Sequence, residues 1–367
     1  MNRMPLLMIA AGGTGGHMFP AQALAETMLR RGWRVMLTTD DRGARFIDSF
    51  PDEILLRVVK SGTFSRGSLA ERAAVPLRLV AGTCSALRVM LRDRPGAVAG
   101  FGGYPAVPAM AAAVLCGIPT LIHEQNGVLG RANRMFVRRV DHVALSIWPM
   151  SLPDGVSSVH TGNPVRNTVR AHAGAPYSPP GDGTIRILVV GGSQGARILS
   201  DVVPDACALL PESVRSMVQV TQQAREADVG ATAWAFEDAG VDAEVASFFD
   251  DIPRLMAETH LVISRAGAST VAEIAAIGRP SVLIPFAAAV RDEQSSNARL
   301  LTGVGAAVVF HETEFSPAAL AESIMDIVAT PGRASSMAEA ASMVGRPRAA
   351  ETLGDLVEDM AKGRSGP

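Results

Sequence analysis

Four stretches of the chain combine residue types that can hold an anionic ligand and move a proton beside it. The first is Gly12-Gly13-Thr14-Gly15-Gly16-His17, between an apolar run at 6–10 and a helical pattern over 19–31. Glycines at such a junction let the backbone turn sharply and approach a ligand, while the free N–H groups of the next helix face an anion. His17 stands where helix starts favour Ser, Thr, Asp or Asn. An imidazole beside a phosphate-binding turn is suited to proton transfer near neutral pH; a histidine that merely bonds a neighbouring carbonyl is the plainer alternative. The string lacks the GxxxxGKS/T of a P-loop. Asp40 and Asp41 come nearest to the acidic residue of a dinucleotide site, and they keep a nicotinamide reading open.

The second stretch pairs Gly102-Gly103-Tyr104-Pro105 with His123-Glu124-Gln125-Asn126, each after a short apolar run and so on the same rim as the first loop. Four consecutive polar groups are costly to bury unless they bind a ligand or brace one another. The third, Gly191-Gly192-Ser193-Gln194-Gly195-Ala196, repeats the first loop with Ser193 and Gln194 as added donors. The fourth runs Ser264-Arg265-Ala266-Gly267-Ala268-Ser269-Thr270 to Glu273, followed by Pro285-Phe286 and by Gln294 and Asn297. Small residues opening a helix leave its first-turn N–H groups free for a diphosphate. Glu273 falls one turn in, where its carboxylate can meet a ribose diol or simply offset the helix dipole. The amides of Gln294 and Asn297 suit sugar hydroxyls, or ordinary capping.

Elements of alternating type must position these loops. Apolar runs at 6–10, 33–39, 54–59, 97–100, 120–123 and 142–145 read as strands, with helical stretches such as 106–116 between them. This alternation predicts a parallel, doubly wound α/β sheet. Residues 174–183 (GAPYSPPGDG) read as a linker, after which the pattern restarts with strands at 185–190, 214–221, 261–264 and 281–285. Two Rossmann-like halves follow, with a ligand expected in the crevice between them, at the strands' carboxyl ends.

Composition agrees. At 367 residues, with 48% hydrophobic and 19% charged, the chain has length for two packed domains, which excludes disordered, collagen-like and coiled-coil classes. Three cysteines offer neither a disulfide framework nor a CxxC metal site and suit a reducing compartment. The opening apolar run is too short for a secretory leader, and no run of about 18 apolar residues could span a bilayer. Charge is uneven: residues 1–164 carry a net +7 and the remainder −9, so the first half should face something anionic. Nucleic acid fits poorly, because no aromatic residues interleave the basic ones for base stacking.

In order and spacing, GGTGGH, FGGYP, HEQN, GNPVR, GGSQGAR and RAGASTVAEI resemble the MurG family, the N-acetylglucosaminyltransferases that make lipid II from lipid I, from Leu6 to about Ala350. The resemblance implies a GT-B fold of two Rossmann-like doubly wound domains facing a central cleft. Its domains would be 1–164 for the acceptor and membrane, and 165–346 for UDP-GlcNAc, with a helix at 347–361 packing back on the first. It implies inverting transfer of GlcNAc to the C4 hydroxyl of MurNAc, with no cofactor and no metal; no acidic pair of the DxD type lies beside a plausible diphosphate loop. By similarity, Thr14, Gly15 and Gly16 meet a diphosphate and Asn126 the GlcNAc. Arg166 and Ser193 would bind the uridine diphosphate, and Phe249 holds the uracil. Ala268, Ser269, Thr270 and Glu273 would hold phosphates and ribose, and Gln294 the sugar. Relatives can carry a branched aliphatic residue at position 249. Residues 287–290 (AAAV) are more apolar than the family pattern, so sugar contacts there rest on Gln294. His17 is the expected general base, with Glu124 and Asp41 in reserve.

Residues 60–94 carry a net +5 with aliphatic residues interleaved. Phe64, Arg66, Leu69, Arg72, Val75, Arg78 and Leu79 read as a surface for anionic phospholipid, or as a helix packing its stripe on the sheet. The expected partners are UDP-GlcNAc, the undecaprenyl-linked acceptor, phospholipid and other cell-wall synthesis proteins. The expected location is peripheral, on the cytoplasmic face of a bacterial inner membrane. Competing readings are another GT-B enzyme (a glycolipid galactosyltransferase or a UDP-GlcNAc 2-epimerase), a dinucleotide-dependent oxidoreductase, and a nucleotide-sensing module without catalysis.

Overall fold

The computed structural model describes residues 4–59, 75–181, 183–192, 195–287 and 292–363. They form two compact units, Met1–Asn167 with Pro347–Pro367, and Thr168–Arg346.

In the first unit seven parallel strands, β1 (Leu6–Ala10), β2 (Arg34–Thr39), β3 (Leu55–Val58), β4 (Ala97–Gly100), β5 (Thr120–Glu124), β6 (His142–Leu145) and β7 (Val159–His160), lie in the order β3-β2-β1-β4-β5-β6-β7. Because strand side chains alternate between faces, Leu7 and Ile9 enter one apolar cluster and Met8 and Ala10 another. The sheet is therefore covered on both faces, as a parallel sheet requires. Helices α1 (Gly15–Arg30), α2 (Val75–Arg92), α3 (Val107–Leu115) and α4 (Arg131–Phe136) belong to this unit. The order reverses at β1, so the loops after β1 and β4 open side by side at the carboxyl ends of the strands, where doubly wound sheets bind ligands.

The second unit repeats the plan with β8 (Ile185–Val190), β9 (Val218–Gln223), β10 (Asp242–Ala246), β11 (Leu261–Ser264), β12 (Ser281–Leu283) and β13 (Ala307–Val309), ordered β10-β9-β8-β11-β12-β13 and all parallel. Its helices of seven residues or more are α5 (Arg197–Ala208), α6 (Val229–Asp238), α7 (Ile252–Glu258), α8 (Ala268–Ile277), α9 (Glu293–Thr302), α10 (Pro317–Ala329) and α11 (Arg333–Val344). The final helix, α12 (Ala349–Gly363), returns to the first unit. There Leu353, Val357 and Met360 join the cluster around Leu7 and Ile9, and Arg31 pairs with Asp355 at 2.9 Å and Glu358 at 3.3 Å.

Gly174–Tyr177, within the expected linker, are tied to the second unit. Gly174 N–H donates to the Ala276 carbonyl at 2.9 Å, and Tyr177 O–H donates to the His260 carbonyl at 3.1 Å. The knot is Arg279, only 1% exposed. Its guanidinium donates to the carbonyls of Met256, Ala175, Pro176, Ile277 and Gly278 at 2.9–3.3 Å, and to that of Ala257. Four of these carbonyls come from the last turn of α7 and the end of α8. Two helix carboxyl termini thus supply the negative charge density that a buried cation needs.

The expected lipid-facing surface is revised. Phe64, Arg66, Leu69 and Arg72 lie outside the described residues. Val75 is 1% exposed and faces the core instead of a lipid surface, while Leu79 is half-buried, packing partly on the core. A different stripe of α2 points outward: Leu77, Val80, Cys84, Arg88 and Leu91, at helical spacing of three and four, with Arg78 beside it. Leu77 and Leu91 are about three-quarters exposed, at 74% and 75%. The opposite side of α2 rests on α3, where Gly82 lets Pro108 come close; a Cβ there would stand 3.0 Å from Pro108 Cγ. Among the described residues no helix is long and apolar enough to cross a membrane.

Candidate active site

In the first unit the two glycine turns are packed on each other. A side chain at Gly12 would strike Pro105 at 2.3 Å, and one at Gly103 would stand 2.8 Å from the Gly12 carbonyl oxygen. Gly103 also has φ +75, which favours glycine. Thr14 caps α1 with extended backbone and no side-chain capping bond, and the first turn of α1 carries no acidic residue. The helix amino terminus therefore offers its N–H groups to an anion without a competing carboxylate. His17 stands in that turn with Nδ1 3.3 Å from Thr14 Oγ1. A methyl group on Gly102 would lie 3.3 Å from its Nε2. Some solvent reaches the ring, but desolvation dominates and lowers its pKa to about 4; a hydrogen bond with the Gly12 backbone opposes this, and the Arg42 charge adds to it. The imidazole is thus neutral near pH 7 and able to accept a proton. Asp41 is exposed just beyond β2. Its neighbour Asp40 is buried and holds the Arg42 side chain at 3.0 Å and Gly43 N–H at 3.0 Å.

Three residues of the HEQN run are engaged within the first unit, and one of them, Glu124, braces the loop that presents the fourth. His123 is fully buried against Phe101, with ring centroids 5.3 Å apart, and its Nε2 lies 3.1 Å from the Gly162 carbonyl oxygen. A carbonyl only accepts, so Nε2 carries the hydrogen. Burial lowers its pKa to about 4, against the Gly162 hydrogen bond. Glu124, a reserve base in the sequence reading, is buried, with both carboxylate oxygens accepting hydrogen bonds. Oε2 takes Gly130 N–H at 2.8 Å and Asn133 Nδ2 at 2.9 Å; Oε1 takes the Asn126 N–H at 3.2 Å and its Nδ2 at 3.3 Å. Burial dominates and holds its pKa above the ordinary carboxylate range, although these donors oppose the shift. A carboxylate so engaged holds the 126–130 loop rather than a substrate proton, and it sets the orientation of the Asn126 amide. Gln125 Nε2 donates to the Phe101 carbonyl at 2.9 Å.

GNPVR follows β7. Arg166 places its guanidinium carbon 4.4 Å from the centre of the Phe19 ring of α1, a cation–π contact. Asn163, passed over in the sequence reading, is buried with neither end of its amide partnered. Only a lone polar residue in a loop motif could have flagged it.

In the second unit the loop after β8 turns tightly: a Cβ on Gly191 would lie 2.4 Å from the Ala196 nitrogen. Ser193 and Gln194 fall outside the described residues. At the reversal point of this sheet, Gly267 caps α8 without a side-chain bond, and again no acidic residue occupies the first turn. Ser269, in that turn, has a buried hydroxyl without a partner, as a group awaiting a ligand would. Ala268 begins α8, Thr270 is half-buried in its first turn, and Glu273 is buried one turn further on. Asn297 of α9 is spent on structure, with Nδ2 donating to the Ala266 carbonyl at 3.1 Å. Gln294 is half-buried at the start of α9, and its Oε1 accepts the Phe286 N–H at 3.0 Å. Phe249 is half-buried in the loop after β10. Each unit thus gathers its own candidates at its strands' carboxyl ends.

Comparison with known proteins adds to this geometry. Residues 7–145 match the glycosyltransferase family 28 N-terminal domain and residues 186–353 its C-terminal domain. The chain is 44% identical over 362 residues to a protein of Brucella abortus (strain S19), covering 98% of this chain and 95% of the relative. It is 45% identical over 367 residues to one of Paramagnetospirillum magneticum, covering 99% and 98%. Both are named UDP-N-acetylglucosamine--N-acetylmuramyl-(pentapeptide) pyrophosphoryl-undecaprenol N-acetylglucosamine transferase. The crystal structure of Acinetobacter baumannii MurG superposes with a TM-score of 0.79 at 31% identity, covering 97% of this chain and 99% of that one. A UDP-GlcNAc 2-epimerase from Neisseria meningitidis shares the fold alone, at 14% identity and a TM-score of 0.63 over 97% of this chain and all of that one.

Proposed function

The chain belongs to glycosyltransferase family 28 and, within it, to the MurG transferases, and from that membership we infer that it transfers N-acetylglucosamine from UDP-GlcNAc to undecaprenyl-diphospho-MurNAc-pentapeptide. The product is lipid II, a peptidoglycan precursor. The observation that carries this reading is the 44–45% identity over nearly the whole length of transferases bearing that name.

The chemistry follows from the groups present. The C4 oxygen of MurNAc attacks the anomeric carbon of GlcNAc as the bond from that carbon to the β-phosphate oxygen breaks. The configuration inverts in a single displacement. His17, neutral at pH 7, accepts the hydroxyl proton, and the electron pair of the broken bond leaves with UDP. Negative charge then grows on the β-phosphate. The uncapped amino terminus of α8, with the Ser269 hydroxyl, is a preorganised counter-charge for it. Glu273 takes the ribose, Phe249 the uracil, and Arg166 and Ser193 the uridine diphosphate. Thr14, Gly15 and Gly16 take a diphosphate at the amino terminus of α1, and Asn126 and Gln294 read the GlcNAc.

Labelled GlcNAc transfer from UDP-GlcNAc to a lipid I analogue tests this directly. Product should form at an undiminished rate with EDTA present. Isomerisation or hydrolysis of the donor alone, with no acceptor needed, would replace this reading with an epimerase.

The acceptor's polyprenyl tail stays in the bilayer, so the enzyme must dock there, on the cytoplasmic face where its nucleotide donor is found. The outward stripe of α2, with Leu77, Val80 and Leu91 beside Arg78 and Arg88, supports this by joining apolar contact to positive charge. Binding to vesicles containing anionic phospholipid should weaken steeply as salt rises from about 0.05 to 0.5 M. Leu77→Glu with Leu91→Glu should reduce it at least about tenfold. Equal binding to neutral vesicles at every salt concentration would refute the docking surface.

A further inference from the structure

Gln294 does not set its own orientation. Its Oε1 accepts the backbone N–H of Phe286 at 3.0 Å, which leaves the amide nitrogen, a donor only, as the end available to a ligand. The direction in which that nitrogen points therefore depends on where the Pro285–Phe286 turn is held. Among the described residues, Arg265 makes three contacts that hold it. The guanidinium donates to the carbonyls of Ile284 at 3.1 Å and Pro285 at 3.3 Å, and it lies 5.2 Å from the centre of the Phe286 ring. Arg265 is held in turn by Glu312, beyond β13, through an ion pair of 2.5 Å whose side chains are 12% and 24% exposed. A surface pair would contribute little, but this one is largely shielded from water and ends on a backbone turn.

We propose that Glu312 is a positioning residue for the donor sugar, acting through Arg265 and the Phe286 N–H to aim the amide nitrogen of Gln294 at an acceptor oxygen of the GlcNAc. The proposal rests on the reading of Gln294 as a sugar contact. Nothing in the sequence pattern linked position 312 to the site, because the link runs across three strand ends, β11, β12 and β13, adjacent only in the folded sheet.

The test compares UDP-GlcNAc with UDP, since Gln294 reads only the sugar. Glu312→Ala should weaken UDP-GlcNAc binding about 5–10-fold, the scale of one misdirected hydrogen bond, and raise KM likewise. UDP affinity and kcat should stay within about twofold. The decisive arm repeats Glu312→Ala in a Gln294→Ala background, where it should have no further effect on UDP-GlcNAc, because the residue through which it acts is gone. Glu312→Asp should recover part of the loss. If Glu312→Ala proves poorly folded by its melting temperature, Glu312→Gln replaces it in the same cycle. Equal losses of UDP-GlcNAc affinity in both backgrounds, or equal losses for UDP and UDP-GlcNAc, would overturn the proposal while leaving Gln294 as a sugar residue. If Gln294→Ala alone leaves the preference for UDP-GlcNAc over UDP intact, the assignment of Gln294 falls, and this proposal with it.

Discussion

His17→Ala should lower kcat by about 10²–10⁴-fold while UDP-GlcNAc affinity changes by no more than a few fold, which is the range general-base assistance contributes. The split follows from position. His17 lies in the first turn of α1, next to Thr14 and Gly102, whereas the residues assigned to the uridine diphosphate belong to the second unit, on α8 and in the loops after β8 and β10, except Arg166, which stacks on Phe19 of α1. A pH profile separates this role from loop bracing. With the imidazole pKa lowered to about 4, the base is unprotonated throughout the neutral range. In kcat/KM its acid limb should therefore fall near pH 4, not near the 6.5 of an ordinary histidine. A bound diphosphate beside the ring favours imidazolium, so the corresponding limb in kcat should lie at higher pH. Near-normal turnover in the variant would remove His17 from the base role. Equal losses in kcat and donor affinity would make it a loop-holding residue.

The second large effect is on stability. Arg279→Met should destabilise the chain by about 3–5 kcal/mol, the range seen when one partner of a buried charged network is deleted. Methionine fills much of the volume but leaves six carbonyl oxygens without their donor, four of them at helix carboxyl termini whose partial charges then face apolar side chains. Arg279→Lys should cost less, since the charge remains and only the planar fork is lost. For a unit of this size the methionine variant should lower the melting midpoint by roughly 8–15 °C. A midpoint within about 2 °C of the parent would mean that the carbonyls are satisfied without Arg279.

Much of the fold was legible because the strands of a parallel sheet, buried on both faces, are written as short continuous apolar runs: LLMIA, RILVV and LVIS stand out unaided. Elements escaped where that signature is weak or brief: β13 (AVV) is apolar but only three residues long. β10 (DAEVA) is half-exposed at a sheet edge and reads as polar, and β7 is two residues long. Residues 214–217, expected to open a strand, include the end of a helical turn at Glu212–Arg215, which Pro211 initiates. Glycine loops were readable because geometry requires glycine there, as Gly12 against Pro105 and Gly191 against Ala196 demonstrate. The division of labour inside HEQN was not readable. Which of four adjacent polar residues binds and which brace depends on Asn133, Gly130 and Gly162, six to 39 residues away. Val75 failed as a lipid contact for a similar reason: an amphipathic helix announces two faces, but only packing on α3 decides which is outward.

Because α12 completes the apolar cluster around Leu7 and Ile9, the unit that leaves the ribosome first is the last to be finished. Domains ordinarily fold in order of synthesis, yet here Leu353, Val357 and Met360 are translated only after every strand of the other unit has emerged. Until then the nascent amino-terminal half carries an unsealed apolar face. Expressed as residues 1–167 alone, it would lack the piece that closes it.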